Sequence, residues 1–599
     1  MISYRIGSKN PAGHYFDITL EIPQPASDGQ ILRLPAWIPG SYMIRDFAKN
    51  IVSLEAHQQD RPLTLTQLDK SSWQLPPVEG PVSVCYRVYA WDLSVRSAHL
   101  DTTHGFFNGT SVFLEVVGQA DAPCEVEICA PDHENCVDWR IATTLPRKEN
   151  EDPATVSFEF GYFRASNYDE LIDHPVEMGR FTQFEFNAGG IRHDMVLSGR
   201  FDCDLARLKN DLVRICEHHI NMFGTPAPMP RYLFLVMVVG EGYGGLEHRS
   251  STSLLCSRNN LPQPGQSELT EEYRNFLGLC SHEYFHSWNV KRIRPAVFQQ
   301  PDLSTEVYTP LLWAFEGITS YYDELALVRC GCITLQDYLE LLGQTMTRIQ
   351  RGLGRTRQSA ADSSFNTWTK FYKQDENAAN AIVSYYAKGS LIALCIDLKI
   401  RQLSHNQKSL DDVMRELWRR FQQGASGVEE HEIQSIVCEL CGQDVSDFLQ
   451  QLIYQVDELP LAQLLETVSL TLQYRASTGP KDKGGKVAED IPASELGVLV
   501  KESTIGLSVV SVTEGSAAQR AGLSAGDELI ALNDLRLTMA SYLQWLKYSP
   551  SGSRHRLDVF RRDELMHFEV ILDAPALTTV VLQVADENDP ALKHWLHMS

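Results

Sequence analysis

Residues 282 to 286 read His282-Glu283-Tyr284-Phe285-His286, within a run that is apolar on nearly every side. Two imidazoles four residues apart share one face only if the segment is helical, because positions i and i+4 stack there. The flanking residues agree with a helix. Ser267 or Thr270 offers an N-cap, and Glu268, Glu271 and Glu272 lie in the first turn, where acids oppose the helix dipole. Tyr273, Phe276, Leu277, Cys280 and Tyr284 form an apolar stripe, while Gly278, Leu279 and the two histidines occupy the other side. A helix so composed is expected to be buried almost all round. On it, His282 and His286 can converge on one zinc ion, with Glu283 projecting beside them toward a bound water. The plainer alternative is a pair of hydrogen-bonded core histidines. Glu283 argues against it, because an ionised carboxylate in an apolar helix is costly unless something compensates its charge.

A third ligand is needed for a closed set of protein donors, and both Glu306 and Glu316 follow at a plausible distance. Glu316 is preferred. Thr309-Pro310 reads as a helix start, with Thr as N-cap and Pro at the first helical position, and Gly331 reads as the stop after Cys330. Glu316 then falls between Phe315 and Gly317 in a buried helix, where a carboxylate makes sense if it is bound. Glu306 falls in the preceding loop, where solvation is the default. The chemistry implied is metal-assisted hydrolysis: the metal lowers the pKa of water and polarises a carbonyl oxygen.

His282-Glu283-xx-His286, followed by Ser287-Trp288-Asn289-Val290-Lys291-Arg292-Ile293-Arg294-Pro295 and by Phe315-Glu316-Gly317-Ile318-Thr319, resembles the glycyl aminopeptidase family, distant relatives of the aminopeptidase N group of gluzincins. A metzincin would need Gly at 289 and His at 292. Gly244-Gly245-Leu246-Glu247-His248, directly after the apolar run 232–239, resembles the exopeptidase signature of aminopeptidase N. By that resemblance Glu247 receives the free amino group of the substrate, with Gly244 and Gly245 beside it, although Leu246 and His248 stand where that group has Met and Asn. A glycine-rich turn with solvated acids is the structural alternative. Ser384-Tyr385-Tyr386-Ala387-Lys388-Gly389 resembles the segment carrying the tyrosine that stabilises the oxyanion. Register assigns the role to Tyr386, and a slip of one residue would assign it to Tyr385.

The first 170 residues or so have a different texture. Phe16, Ile18, Leu20 and Ile22 alternate with polar residues, and short runs of this kind separated by turn residues suggest an antiparallel β domain. Its segment Leu34-Pro35-Ala36-Trp37-Ile38-Pro39-Gly40-Ser41-Tyr42 resembles the N-terminal signature of the same family, and by that resemblance forms one wall of the substrate cleft. Helical periodicity dominates 203–222, 333–352, 380–404, 408–423 and 429–456. After about 465 the chain turns strand-rich, beyond a stretch at 477–486 that reads as a mobile linker. Gly515 to Ile530 resembles a PDZ domain, whose fold accepts an extended peptide as an added strand. Its carboxylate loop is altered to Glu495-Leu496-Gly497-Val498, so a structural cap stands as the alternative to peptide binding.

The expected architecture is therefore multidomain α+β: an N-terminal antiparallel β domain (1–170), a thermolysin-like, mainly helical gluzincin catalytic domain (171–464), and a linker with a C-terminal PDZ domain (465–599). A net charge of −24 argues against nucleic acid and anionic membranes as partners. No run is expected to approach the roughly 18 apolar residues of a membrane span. No secretory signal is visible, and thirteen cysteines scattered through apolar segments look reduced, which suits a cytoplasmic protein. Cys438-Glu439-Leu440-Cys441 reads as structural. The function implied is a zinc aminopeptidase, with one zinc ion on His282, His286 and Glu316, Glu283 as base and Tyr386 at the oxyanion, acting on peptides with a free N-terminus. Family resemblance suggests Gly or Ala there. The alternative is a catalytically silent or endoproteolytic PDZ-containing protein that binds peptide C-termini.

Overall fold

The computed structural model describes residues 1–148 and 158–598, in two units: Met1–Val307 with Trp418–Gly427, and Tyr308–Leu417 with Val428–Ser599. In the first unit, a seven-stranded sheet runs in the order Gly161–Ala165, Cys124–Ile128, Ile2–Asn10, Tyr15–Ile22, Val82–Tyr89, Ile51–Gln58 and Arg61–Leu63. It is antiparallel except where Ile2–Asn10 pairs in parallel with Cys124–Ile128. The alternation read from the sequence decides which face is buried: Phe16, Ile18, Leu20 and Ile22 join Tyr4, Ile6 and Val84 in one core.

A second sheet in this unit has the order Phe181–Ala188, Ile191–Ser198, Arg231–Val239, Ser251–Ser257 and Tyr243–Glu247. Its inner strands are parallel, and Arg231–Val239 is buried along most of its length, which explains its continuous apolar composition. Tyr243–Glu247 is antiparallel to its neighbour and forms the edge. Gly244 and Gly245 thus belong to a strand rather than a turn. The helix Glu271–Phe285 is capped by Thr270, whose side chain accepts the Tyr273 N–H. Polar pins fix it to its surroundings: His193 Nε2 lies 2.9 Å from the Tyr284 hydroxyl, His219 Nε2 lies 2.8 Å from Ser281 Oγ, and the Tyr273 hydroxyl donates to Asp211.

In the second unit, the helices Ile318–Arg329, Leu335–Arg351 and Tyr385–Leu403 lie close to the periods read from the sequence, as does Leu410–Gln422, of which Leu410–Leu417 belongs to this unit. The span 429–456 is two helices, Glu432–Cys441 and Ser446–Tyr454, because Gly442 turns left-handed (φ 66°) between them. Thr309 does not cap a helix. The segment Trp313–Gly317 is instead a turn of π-helix leading into Ile318–Arg329, and Gly331 ends it as expected. Among the described residues one helical stretch, Ala378–Leu403, is long and apolar enough to cross a membrane by length and composition, contrary to the expectation of none, but most of it is buried within the protein.

The PDZ strands Val498–Glu502, Leu507–Val512, Glu528–Leu532, Arg554–Arg561 and Glu564–Ile571 form their own sheet and core, with helix Met539–Tyr548. The chain then returns. Leu577–Val584 pairs antiparallel with Leu470–Ala476, and in the C-terminal helix Pro590–Leu596 the Trp595 ring N–H donates to Tyr321. The stretch 477–486 is not loose, because Asp482 ties it down: its carboxylate takes two bonds from Arg475 and the N–H groups of Thr478 and Gly484. None of the thirteen cysteines, all of them among the described residues, is in a disulfide, Cys438 and Cys441 included.

Candidate functional site

In the first unit, His282 and His286 follow each other by one helical turn, and their Nε2 atoms are 3.1 Å apart. His286 Nδ1 lies 2.7 Å from the carbonyl of Asn289, so this nitrogen carries the proton and Nε2 is left with its lone pair. The carbonyl is held in place by the folded-back segment after the helix. Arg292 donates to the carbonyls of Ser287, Arg249 and Pro228, and Lys291 N–H donates to His286 O. Val290 pays for this path with φ 117°, a conformation a β-branched residue rarely adopts.

Glu283 and Glu247 are both buried, and each is accommodated by a glycine. A Cβ at Gly245 would stand 2.0 Å from Glu283 Oε1, and one at Gly40 would stand 2.4 Å from Glu247 Oε1. The edge strand can pass the helix only because residue 245 has no side chain. Glu247 Oε1 has no hydrogen-bond partner among the described residues. Beside it opens a cavity of about 50 Å³, lined among others by Trp37, Gly40, Tyr42 and His248.

The neighbouring acid is handled differently. Asp173 takes Lys291 Nζ at 2.7 Å and the Arg249 N–H at 3.0 Å, with His248 Nδ1 at 3.7 Å. Burial alone would raise its pKa, but Lys291, Arg249 and His248 outweigh burial and hold the carboxyl well below the usual range. Burial lowers His248 against the pull of Asp173, which favours a neutral ring next to Glu247.

In the second unit, Glu316 is buried in the π-helical turn. That turn crosses helix Tyr385–Leu403 at Gly317 and Gly389, where a Cβ on Gly317 would come within 2.5 Å of Gly389 Cα and one on Gly389 within 2.7 Å of Trp313 O. Close approach of the two backbones puts Tyr385 within electrostatic reach of Glu316. Burial first, then Tyr372 and Glu316, push the Tyr385 hydroxyl well above its ordinary pKa. Tyr385 is fully buried and accepts a bond from Thr367, whereas Tyr386 is half-buried and pairs its hydroxyl with that of Tyr372 at 3.1 Å.

Sequence reasoning named Gly244, Gly245, Glu247, His282, Glu283 and His286, and these come together in the first unit; Glu316, Tyr385 and Tyr386 come together in the second. It passed over Gly40 as a contact of Glu247, the Asp173–Lys291 pair, Tyr372 and the Gly317–Gly389 crossing. Gly40 lay inside a quoted motif, and Lys291 inside another. Asp173 and Tyr372 carried no local signal.

Residues 3–180 match the model for the Peptidase M61 N-terminal domain, residues 275–392 that for M61 glycyl aminopeptidase, and residues 508–561 that for a PDZ domain. The crystal structure of an aminopeptidase N family protein from Idiomarina loihiensis is 45% identical, covers 100% of both chains and superposes with a TM-score of 0.96. An M1 zinc metallopeptidase from Deinococcus radiodurans is 11% identical over 77% of this chain and 94% of its own, with a TM-score of 0.47. Among curated proteins none matches.

Proposed function

This chain belongs to the M61 glycyl aminopeptidase family and is a peptidase, and from that premise we propose that it is a zinc-dependent aminopeptidase releasing a small N-terminal residue, glycine or alanine, from peptides. The observation that carries the exopeptidase reading is the bare Glu247 oxygen. A buried carboxylate with an unpaired oxygen is costly in an apolar site, and a substrate ammonium would remove that cost. An acylated or internal residue brings no such charge.

The donors suit zinc. Tetrahedral Zn–N bonds of roughly 2.05 Å separate two nitrogens by about 3.3 Å, close to the 3.1 Å between the histidine Nε2 atoms. Glu316, a carboxylate buried in the π-helical turn of the second unit, is kept as the third ligand in this proposal. Bound zinc supplies Lewis-acid polarisation of the scissile carbonyl and acidifies water. Glu283 takes the proton of the attacking water and passes it to the leaving amine. Glu247 anchors the ammonium, with Gly244 and Gly245 beside it and the Gly245 backbone groups open at the strand edge. The Tyr386 hydroxyl donates to the developing oxyanion, a role that suits its partial exposure better than that of buried Tyr385.

The PDZ domain adds a second peptide site to the proposal. Val498–Glu502 is an edge strand of its sheet, and Glu495, whose charge would oppose a carboxylate, is turned to the Ala576 N–H at 2.9 Å. Peptide C-termini are its proposed ligands.

The test is hydrolysis of aminoacyl anilides, free and N-acetylated, by wild type and Glu283→Gln after zinc loading. Release from free glycine and alanine substrates, absent in the variant, supports the reading. Cleavage of the acetylated substrates at a comparable rate would sink it.

A further inference from the structure

The edge strand Tyr243–Glu247 has a second charged neighbour. The loop 92–97 brings Arg96 to it, where Nη2 donates to Gly245 O at 3.3 Å and Nη1 lies 3.6 Å from the position a Gly244 Cβ would take. Arg96 pairs with no carboxylate of a described residue, and its Nε is buried without a partner. In a chain of net charge −24, an arginine at this strand edge with no carboxylate partner among the described residues needs an explanation.

The loop is built to hold that position. Buried Asn108 donates to Val95 O at 2.9 Å and to Ser97 O at 3.3 Å, and its own N–H donates to Ser97 O at 3.1 Å. Asp92 N–H closes the loop onto Ala98 O. Arg96 is thus fixed at both flanks, although half-buried itself.

The strand supplies the geometry. His248 N–H donates to Ser251 O inside the pair, so by antiparallel alternation Leu246 and Gly244 turn their backbone groups inward, while Gly245 turns its groups to the open edge. A peptide lying antiparallel along this edge with its ammonium at Glu247 runs its C-terminal end toward Gly245 and Tyr243. Two residues of extended chain reach about 7 Å. The guanidinium therefore stands where the chain of a two- or three-residue peptide ends.

We propose that Arg96 is a specificity-determining residue that recognises the C-terminal carboxylate of the substrate, and that the substrate class is free-acid di- and tripeptides. The inference rests on the aminopeptidase reading of Glu247. The guanidinium fork matches a carboxylate bidentately, and binding exchanges its weak bond to Gly245 O for a charge-assisted pair. Glu247 and Arg96 then act as two ends of a ruler for short peptides.

The experiment compares Gly-Leu with Gly-Leu-amide, using wild type, Arg96→Ala and Arg96→Lys. The wild-type enzyme should favour the free acid by about tenfold or more in kcat/KM, a ratio expected of one charge-assisted bidentate contact. Arg96→Ala should bring the ratio near one, and Arg96→Lys should restore part of it. Binding of both peptides to Glu283→Gln, measured by calorimetry with and without Arg96→Ala, gives the same comparison without turnover. An acid-to-amide ratio that Arg96→Ala leaves unchanged, in hydrolysis or in binding, overturns the proposal. Failure of every variant to hydrolyse any substrate would count against the aminopeptidase reading, and the binding ratio would still decide the role of Arg96.

Discussion

Asp397 and Asp411 lie as deep in the second unit as Glu247 does in the first, yet both oxygens of each are engaged while an oxygen of Glu247 is not. Asp397 takes Tyr321, Arg401 and the Leu410 N–H, and Asp411 takes Tyr322 and Arg329. Arg329 also reaches the carbonyl of Trp595, so this network ties the C-terminal helix to the helical core. A buried charge with a full set of partners is structural. One left with an open oxygen beside a cavity is kept in an unfavourable state that a ligand can relieve, and this contrast separates a site from a scaffold better than burial does.

The contrast can be broken or sharpened by experiment. Glu283→Gln should lower kcat by about 10³ to 10⁴, as loss of a general base does, with thermal unfolding close to wild type; a fall below tenfold in steady-state kinetics would remove Glu283 from the chemistry. Asp411→Asn should act in the opposite way. It leaves Arg329 buried without its counter-charge, so unfolding in denaturant should show a loss of about 3 to 5 kcal/mol.

Buried neutral histidines give a pH signature of the scaffold. Burial lowers His193 from 6.5 to about 4, and burial with His104 lowers His99 likewise to about 4. Between these values the unfolded chain binds protons that the folded one refuses. Their stabilisation is therefore complete above about pH 6.5 and is lost as pH falls toward 4. Each accounts for at most about 3 kcal/mol, and His193→Gln should flatten the fall in chemical denaturation across that window.

Glu247→Gln removes a charge while keeping the shape. It should cost about a hundredfold in kcat/KM for substrates with a free N-terminus. Its stability should equal or exceed that of wild type, since it relieves an unpaired buried charge. A variant that is both active and destabilised would place Glu247 with Asp411 as scaffold.

Much of this could be read along the chain. Helical spacing placed His282, Glu283 and His286, the Thr270 cap set where their helix begins, and alternation marked the buried face of the N-terminal sheet. Other expectations failed where a distant partner decided the outcome. Glycine and lysine content made 477–486 look loose, but Asp482 organises it through Arg475. Thr309-Pro310 looked like a helix start, but the chain opens its helix three residues later through a π-turn that meets Gly389. The turn weighed as the alternative at Gly244 and Gly245 is a strand, where the edge passes closely over Glu283.

The sequence by itself determined the local grammar: which residues share a helical face, which strands bury which side, and which family the motifs resemble. Those properties depend on neighbours a few residues apart. Tertiary structure alone decided that Glu247 meets Gly40, that Arg96 reaches the strand at Gly245, and that Glu316 and Tyr385 face each other across two glycines. Each of these joins residues about 70 to 210 positions apart, where no periodicity carries information and only packing brings the groups together.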